Sequence, residues 1–215
     1  MQEPIEVKLR DHGQIALARL QDTIVESIVE IEPDVVFHGG TAIWRCYNGN
    51  RFSEDVDLYA TDKQVKRLDL GITWSLSKRG AKMEYPVYTD RVVEITGEDA
   101  RSKFEAMTPP KGIRPIQMEY TRADGSKLLI NTLSAHDFIA EKVSTYGKRR
   151  YVRDLYDIYH LVMLERPDTG TKALLKRFIN EVEKPIDEGK LKDLVYVGIA
   201  PSYGTMVSTI GKAVK

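Results

Sequence analysis

The fold is decided by Val35-Val36-Phe37-His38-Gly39-Gly40-Thr41 and by Asp55-Val56-Asp57, which begins fourteen positions after Thr41. The apolar run at 35–37 is typical of a buried strand. Two glycines then predict a tight turn, and Thr41 is a residue type that caps helices. We therefore predict a strand, a glycine turn and a helix over 41–47, with a second strand over 56–59.

Elements upstream and downstream follow from hydrophobic spacing. Apolar residues three or four apart predict a first helix that ends before Pro33, with its buried stripe at Leu17, Leu20, Ile24, Ile28 and Ile31. Asp62 opens a further short helix, and the chain from Ile72 to Ile130 is mostly strand-like. Two hairpins are predicted there, one joining 83–88 to 92–96 and one joining 116–121 to 127–132.

The pattern changes to helices after Leu133. Ser134 resembles a helix N-cap with Asp137 three residues on, and helical spacing continues to about Leu164. An amphipathic stretch over 171–184 predicts one more helix. The uncharged stretch 194–211 contains too many Gly, Ser, Thr and Pro residues for a membrane span, so we expect a packed C-terminal segment and no membrane contact.

Composition excludes several classes of protein. The 32 basic and 32 acidic residues leave a formal charge of zero, which rules out a uniformly basic nucleic-acid coat. Cys46 is the single cysteine, so neither an intrachain disulfide nor a multi-cysteine zinc site can form. The first residues carry Glu3, Glu6 and Asp11 and do not resemble a signal peptide. We therefore expect a cytoplasmic protein.

The two aspartates are the first candidate site. Asp55 and Asp57 lie two apart on a predicted strand, so their side chains share a face with alpha carbons about 6.6 Å apart. Such a pair can hold Mg²⁺ or Mn²⁺ together with substrate phosphates. The turn at Gly39 and Gly40, with Thr41 at the helix start, favours a triphosphate because helix N-termini attract anions. Taken alone, an Asp-x-Asp pair is more often a solvated acidic edge.

Arg51 and Ser53 precede the acids and leave two interpretations open. They could bind phosphate of a nucleotide or orient the loop, and they could equally cap Asp55 locally.

A phosphoryl-transfer site also favours a third carboxylate from a neighbouring strand. Glu94, between Val93 and Ile95, is the first candidate for this metal ligand, and Glu119 is the alternative. The sequence does not place either strand beside Asp57, and each glutamate could simply be an exposed strand residue.

A second cluster lies between 141 and 157. Lys142, Tyr146, Arg149 and Arg153 are spaced by four, three and four, so a continuous helix would carry them on one face. This basic stretch could bind phosphates of a nucleotide or of an RNA acceptor. The alternative is a solvated helix with internal ion pairs, Arg150 to Asp154 and Arg153 to Asp157.

At these clusters the sequence resembles the nucleotidyltransferase superfamily and, within it, the AbiEii/MenT-like toxin family. The resemblance covers about residues 35–165. Four motifs in order carry it: Phe37-His38-Gly39-Gly40-Thr41-Ala42-Ile43, Arg51-Phe52-Ser53-Glu54-Asp55-Val56-Asp57-Leu58, Glu141-Lys142 and Arg153-Asp154-Leu155-Tyr156-Asp157.

The resemblance implies an α+β fold, with a mixed β-sheet flanked by helices and a helical C-terminal part. It implies a catalytic core over 1–133 and a helical part over 134–215 that contributes Lys142 and the 153–157 motif. The implied activity is Mg²⁺-dependent transfer of NMP from an NTP. The implied acceptor is RNA such as a tRNA 3′ end, and the implied partner is a cognate antitoxin.

The resemblance also implies residue roles. Gly39, Gly40 and Thr41 would cradle the triphosphate, and Asp55 and Asp57 would ligate Mg²⁺. Lys142 would hold phosphate, Arg153 would fix its loop, and Asp154 or Asp157 would act beside the metal as a base.

Two other functions are compatible with the residues. A nucleotide-sugar glycosyltransferase also binds a metal through Asp-x-Asp, although it gives no reason for the glycine turn. A non-catalytic RNA-binding or regulatory protein could keep the same fold.

Overall fold

The chain forms two units, and each has its own core. The computed structural model describes residues 3–83 and 91–215. The first unit comprises residues 1–46 and 53–132, and the second comprises 47–52 and 133–215. The functional division at residue 133 stays a prediction.

The first unit is built around a seven-stranded sheet. Its helices are α1 (Ile5–Lys8), α2 (His12–Ile31), α3 (Gly39–Cys46) and α4 (Asp62–Ser77). Its strands are β1 (Val36–His38), β2 (Val56–Tyr59), β3 (Lys82–Met83), β4 (Val92–Thr96), β5 (Arg101–Met107), β6 (Ile116–Thr121) and β7 (Lys127–Thr132). They lie in the order β3-β4-β5-β2-β1-β7-β6.

The sheet is mixed, and its centre carries the motif strands. β2 is antiparallel to β1, with His38 opposite Asp57, and parallel to β5, with Glu105 opposite Asp57. β1 is parallel to β7. A mixed sheet with helices both before and after it confirms the predicted α+β class.

The first helix agrees with its hydrophobic spacing. α2 begins after Asp11, whose side chain accepts a hydrogen bond from the Gln14 N–H, and it ends at Ile31, two residues before Pro33. Leu20, Ile24 and Ile28 are buried along one face of this helix. Three of the five predicted stripe positions are therefore buried, and Leu17 and Ile31 are partly exposed.

The prediction for the next helix was wrong in length. α4 runs for 16 residues to Ser77, whereas a short helix and strand-like chain from Ile72 were expected. Thr61 and Gln64 form a capping box at its start. Val65, Leu68, Ile72 and Leu76 are buried at helical spacing, and this period outweighs the strand preference of single residues.

Both predicted hairpins have antiparallel partners in the sheet. β6 and β7 pair from Ile116–Thr132 to Thr121–Lys127, and Gly125 in the turn has φ +86°, which confirms this hairpin. β3 pairs with β4, Met83 lying opposite Ile95. Residues 84–88 of the other predicted strand lie outside the described residues.

The second unit is helical. It contains α5 (Ala135–Arg149), α6 (Val152–Leu164), α7 (Thr169–Glu181), a 3₁₀ turn (Glu188–Lys190), α8 (Leu191–Leu194) and α9 (Tyr203–Ala213). Ser134 caps α5 by accepting from the Asp137 N–H, as predicted. The uncharged stretch after Leu194 provides most of α9, which buries Met206 and Ile210.

The helix is not continuous through residues 141–157, so the condition under which the four spaced positions would share one face is not met. Arg150 adopts a left-handed conformation with φ 50° at the end of α5, and Tyr151 is the N-cap of α6. Lys142 and Arg149 therefore belong to one helix and Arg153 to the next, so the four predicted positions do not share one face.

Two further findings concern the single cysteine and the length of the helices. Cys46 is buried at the end of α3, and this burial raises the pKa of its thiol to about 12. Within residues 3–83 and 91–215, none of the helices combines the length and apolar character that crossing a membrane requires.

Candidate functional site

Asp57 faces the glycine turn. Gly39 has φ +72°, a conformation that side-chain-bearing residues rarely adopt. A Cβ placed on Gly39 would overlap the Asp57 carboxylate, with the Asp57 Cγ only 2.8 Å away. Glycine is thus required twice at this position, for its backbone conformation and for the close approach of the acid. The predicted acid and the predicted turn are brought together.

The segment that leads into the acidic strand is held at three consecutive carbonyl oxygens. Gln21 Nε2 donates to the Ser53 carbonyl at 2.7 Å and Ser102 Oγ to the Glu54 carbonyl at 2.8 Å. Thr41 Oγ1 donates to the Asp55 carbonyl at 2.5 Å. The donors come from α2, β5 and α3, so three elements fix the backbone before Asp57.

The position of Thr41 corrects a prediction. The helix starts at Gly39 and not at Thr41, and the Thr41 hydroxyl is directed to the Asp55 carbonyl instead of capping its own helix. Thr41 is buried, and its hydroxyl links the glycine turn to the acidic strand. α3 runs for eight residues from this turn, and the first amides of a helix favour an anion.

Asp55 has a weak partner. Its Oδ2 lies 3.7 Å from Lys103 Nζ on β5, and the two side chains are 43% and 37% exposed. An ion pair this open contributes little to stability and exchanges readily with solvent or a ligand. Asp55 directly precedes β2, and Asp57 is half-buried within β2.

Neither candidate for the third carboxylate lies on a strand adjacent to β2. β4 with Glu94 lies two strands from β2, and β6 with Glu119 lies three strands away. Glu94 is paired across the ladder with Lys103. The strand beside β2 is β5, where Glu105 is the register partner of Asp57.

Glu105 is the residue that sequence reasoning missed. It lies between the buried residues Phe104 and Ala106 and is itself half-buried. The local pattern Phe104-Glu105-Ala106 was available as a signal, but only the strand order distinguishes Glu105 from Glu94 and Glu119.

The donor set suits a cation shared with a substrate. Among the described residues, no group of three or more His, Cys, Asp or Glu side chains is close enough to form a protein-only metal site. Mg²⁺ is usually held by one or two carboxylates together with substrate phosphates, so Asp55 and Asp57 fit that mode of binding.

The second unit contains a buried cluster of charges. Arg51 binds Asp157 through two hydrogen bonds, Nε to Oδ1 at 2.6 Å and Nη2 to Oδ2 at 2.7 Å. Lys142 Nζ lies 3.3 Å from Asp157 and 3.8 Å from Asp154. All four of these side chains are buried. Arg51 therefore does not cap Asp55, and it holds Asp157 instead.

Asp154 has its own arginine. Arg149 Nε and Nη2 bind the two carboxylate oxygens of Asp154 at 2.8 and 2.9 Å. Arg149 and Arg51 take the places of the predicted partners Arg150 and Arg153. The break at Arg150 ends the helical spacing to Asp154, and within α6 Arg153 is exposed whereas Asp157 is buried. Arg153 is exposed and lies over the Tyr151 ring at 5.6 Å.

The charges keep Asp157 ionised. Burial alone would raise its pKa, but the charges of Arg51 and Lys142 and their hydrogen bonds lower the pKa below its usual value. The Arg51 pKa is raised, since attraction to Asp157 outweighs the effect of burial. An acid held this tightly by two cations has little capacity to accept a proton.

The mixed sheet, the glycine turn at the start of a helix and the carboxylate of Asp57 facing that turn define a nucleotidyltransferase. The family described as "Nucleotidyl transferase AbiEii toxin, Type IV TA system" matches residues 23–199. This match covers most of the chain, and the protein belongs to that family. No curated protein matches at a significant level.

Two solved structures share the fold. MenT4, a nucleotidyltransferase toxin from Mycobacterium tuberculosis H37Rv, is 18% identical with a TM-score of 0.64 over 94% of this chain and 82% of its own. JHP933 from Helicobacter pylori is also 18% identical, with a TM-score of 0.61 over 92% and 90% of the two chains.

Proposed function

We propose that this nucleotidyltransferase transfers NMP from an NTP to an RNA acceptor, such as a tRNA 3′ end, in a Mg²⁺-dependent reaction. The observation that carries the proposal is the approach of Asp57 to Gly39. It brings a metal-binding acid to the helix start where a polyphosphate would bind.

The first unit supplies the binding groups. In this proposal, backbone amides at Gly39, Gly40 and Thr41 bind the triphosphate, because the first turn of a helix leaves N–H groups without helical acceptors. Asp55 and Asp57 hold the Mg²⁺. When bound, this ion neutralises negative charge on the phosphates during transfer.

The reaction is an in-line displacement at the α-phosphorus. The acceptor hydroxyl oxygen forms the new P–O bond while the bond to the bridging oxygen breaks, and pyrophosphate leaves. We assign the hydroxyl proton to a carboxylate on the strand pair β2–β5, with Glu105 in place of Glu94 or Glu119. Glu105 is favoured because it is the ladder partner of Asp57.

The second unit has a supporting role in this proposal. Asp154 and Asp157 hold Arg149, Arg51 and Lys142 in place and do not act as bases, because both carboxylates are buried against cations. Phosphate binding by Lys142, Arg149 and Arg153 stays a prediction from the sequence. Ser53 contributes its carbonyl oxygen to the loop, which supports an orienting role.

The biological role follows from the family. A toxin of a type IV toxin–antitoxin system implies an antitoxin as genetic partner. An RNA acceptor is consistent with an exposed arginine at 153 and an exposed lysine at 148. We place the reaction in the cytoplasm, where NTPs and RNA are both present. The glycosyltransferase and the non-catalytic alternatives are disfavoured by the family match.

The test is a transfer assay. The purified chain is incubated with Mg²⁺, total RNA or tRNA and each of four α-labelled NTPs in turn, and the products are separated on a gel. We expect labelled RNA with at least one NTP. Asp55→Asn and Asp57→Asn should reduce transfer at least about a thousandfold, because each removes a carboxylate charge that would hold the Mg²⁺.

Glu54→Gln is the matched control. Glu54 lies between Ser53 and Asp55, and its side chain is exposed. The Glu54→Gln variant loses one negative charge, as Asp55→Asn and Asp57→Asn do, and it should retain activity. Full activity in Asp57→Asn would overturn the proposed site, and label on protein instead of RNA would overturn the proposed acceptor.

A further inference from the structure

The loop between the two halves of the nucleotide motif belongs to the second unit. Residues 47–52 connect α3, which starts at the glycine turn, to the segment that leads into Asp55 and Asp57. Although its neighbours on both sides belong to the first unit, this loop packs with residues 133–215. Its contacts show which residues hold it.

Residues 194–196, at the end of α8 and directly after it, form a short antiparallel bridge with the loop. The Phe52 N–H donates to the Leu194 carbonyl at 2.8 Å, and the Tyr196 N–H donates to the Asn50 carbonyl at 3.1 Å. Arg51 and Val195 are opposite each other in this bridge, and both are buried. Two backbone hydrogen bonds thus fix the loop from one side.

Side chains complete the attachment. Tyr196 Oη donates to the Gly49 carbonyl at 3.0 Å, and His160 Nε2 lies 2.8 Å from the Tyr47 carbonyl. The Arg51 guanidinium is bound to Asp157 on α6. The rest of the second unit therefore contacts the loop at Tyr47, Gly49, Asn50, Arg51 and Phe52, through backbone or side chain.

Covalent continuity makes these contacts relevant to the acids. Phe52 is followed directly by Ser53, the first of the three residues whose carbonyls are held in the first unit. With 47–52 fixed as well, the chain from the end of α3 to Asp57 is hydrogen-bonded almost throughout. Rate losses from small misplacements are large, on the order of a hundredfold for 1 Å.

We propose that Arg51 and the C-terminal segment 194–196 are positioning elements of the transferase, which fix loop 47–52 and, through it, the placement of Asp55 and Asp57. This role rests on the proposed function for its effect on catalysis. It assigns a role to residues 194–196, which lie outside the four sequence motifs.

Tyr196→Phe is the test variant, since it removes one hydroxyl and keeps the ring and the backbone bridge. Tyr203→Phe is its matched control: Tyr203 Oη also donates to a backbone carbonyl of the second unit, that of Val182, but does not touch the loop. Arg51→Lys is the second variant. It keeps the charge and loses the two-point contact with Asp157.

Two measurements are made on the full chain. Hydrogen exchange should become about three- to tenfold faster at amides of 47–52 and of 53–57 in Tyr196→Phe, the size expected for one hydrogen bond. The kcat for NMP transfer should fall by a similar factor with little change in the KM for NTP. Arg51→Lys should show larger changes of the same kind, and Tyr203→Phe should show neither.

The outcomes separate this inference from the proposed function. If the wild-type chain transfers no NMP, the proposed function fails, while hydrogen exchange at 53–57 still decides whether the loop positions the acids. Unchanged exchange at 53–57 in both variants overturns the inference. Faster exchange with an unchanged kcat also overturns it, because the acids would then not depend on the loop.

Discussion

Two pairs of aspartates occupy opposite electrostatic environments in this protein. Asp55 and Asp57 are half-buried, and the ion pair of Asp55 with Lys103 is open to solvent. Asp154 and Asp157 are almost completely buried and lie against Arg149, Arg51 and Lys142. In the proposed function the first pair holds a metal together with the substrate, whereas the second pair already lies against three cations of the protein. Acidic residues from two equally distinct sequence motifs can therefore have different roles.

The largest expected effect is on the buried pair. Asp157→Asn should lower the free energy of unfolding by about 3–5 kcal/mol, because it leaves Arg51 and Lys142 buried without their main counter-charge. Asp57→Asn should change it by less than about 1 kcal/mol. Urea unfolding of both variants measures the difference, with Asp193→Asn on the surface of α8 as the control. Equal losses in both variants would remove the distinction.

The pH dependence of the unfolding free energy tests the charge state of the buried pair. The pKa of Asp157 is lowered in the folded chain, so its stabilising effect is present above the unfolded pKa of about 3.9 and is lost as pH falls through the folded value. The gap in unfolding free energy between wild type and Asp157→Asn should therefore be full at pH 7 and shrink below about pH 4. A gap that stays constant down to pH 2 would show that folding does not lower the pKa of Asp157.

Gly39→Ala tests the approach of the acid to the turn. The backbone conformation alone should cost about 1–2 kcal/mol of stability. The overlap must also displace Asp57, so we expect kcat to fall by roughly a hundredfold. Gly80→Ala is the matched control, since Gly80 has φ +75° but a Cβ added there would meet no atom within 4 Å. Similar activity in the two variants would contradict the role of the close approach.

The smallest effect concerns the carbonyl contacts before Asp57. Ser102→Ala removes the hydrogen bond to the Glu54 carbonyl and should lower stability by about 0.5–1.5 kcal/mol, with a modest loss of kcat. Ser77→Ala removes a comparable bond to the Trp74 carbonyl on the surface and should leave kcat unchanged. Thermal unfolding measures the stability of the two serine variants, and the transfer assay measures their kcat. Equal kcat in both would mean that this contact does not position the acids.

Local patterns predicted much of the fold. The strand, glycine turn and acidic strand are short motifs in which neighbouring residues decide the conformation, so β1, α3 and β2 lie within two residues of their predicted positions. The hairpin at Gly125 was equally local. The prediction failed where an ordering of distant elements was needed, as with Glu105, whose strand is adjacent to β2 only in the folded sheet.

The buried ion pairs illustrate the same limit. Arg51 and Asp157 are 106 positions apart, and helical spacing instead suggested partners four residues away. One left-handed residue, Arg150, ends α5 and removes the helical spacing between Arg150 and Asp154. The local sequence around Arg150 does not predict a left-handed conformation there, because arginine does not commonly adopt it.

The solitary thiol has a practical consequence. With its pKa raised to about 12 and its side chain buried, Cys46 carries almost no thiolate at neutral pH and should resist alkylating reagents. A cysteine introduced on the surface would then be the only reactive one. Fluorophores or spin probes can be attached one at a time to the native background, so movements that accompany nucleotide binding become measurable without first mutating Cys46.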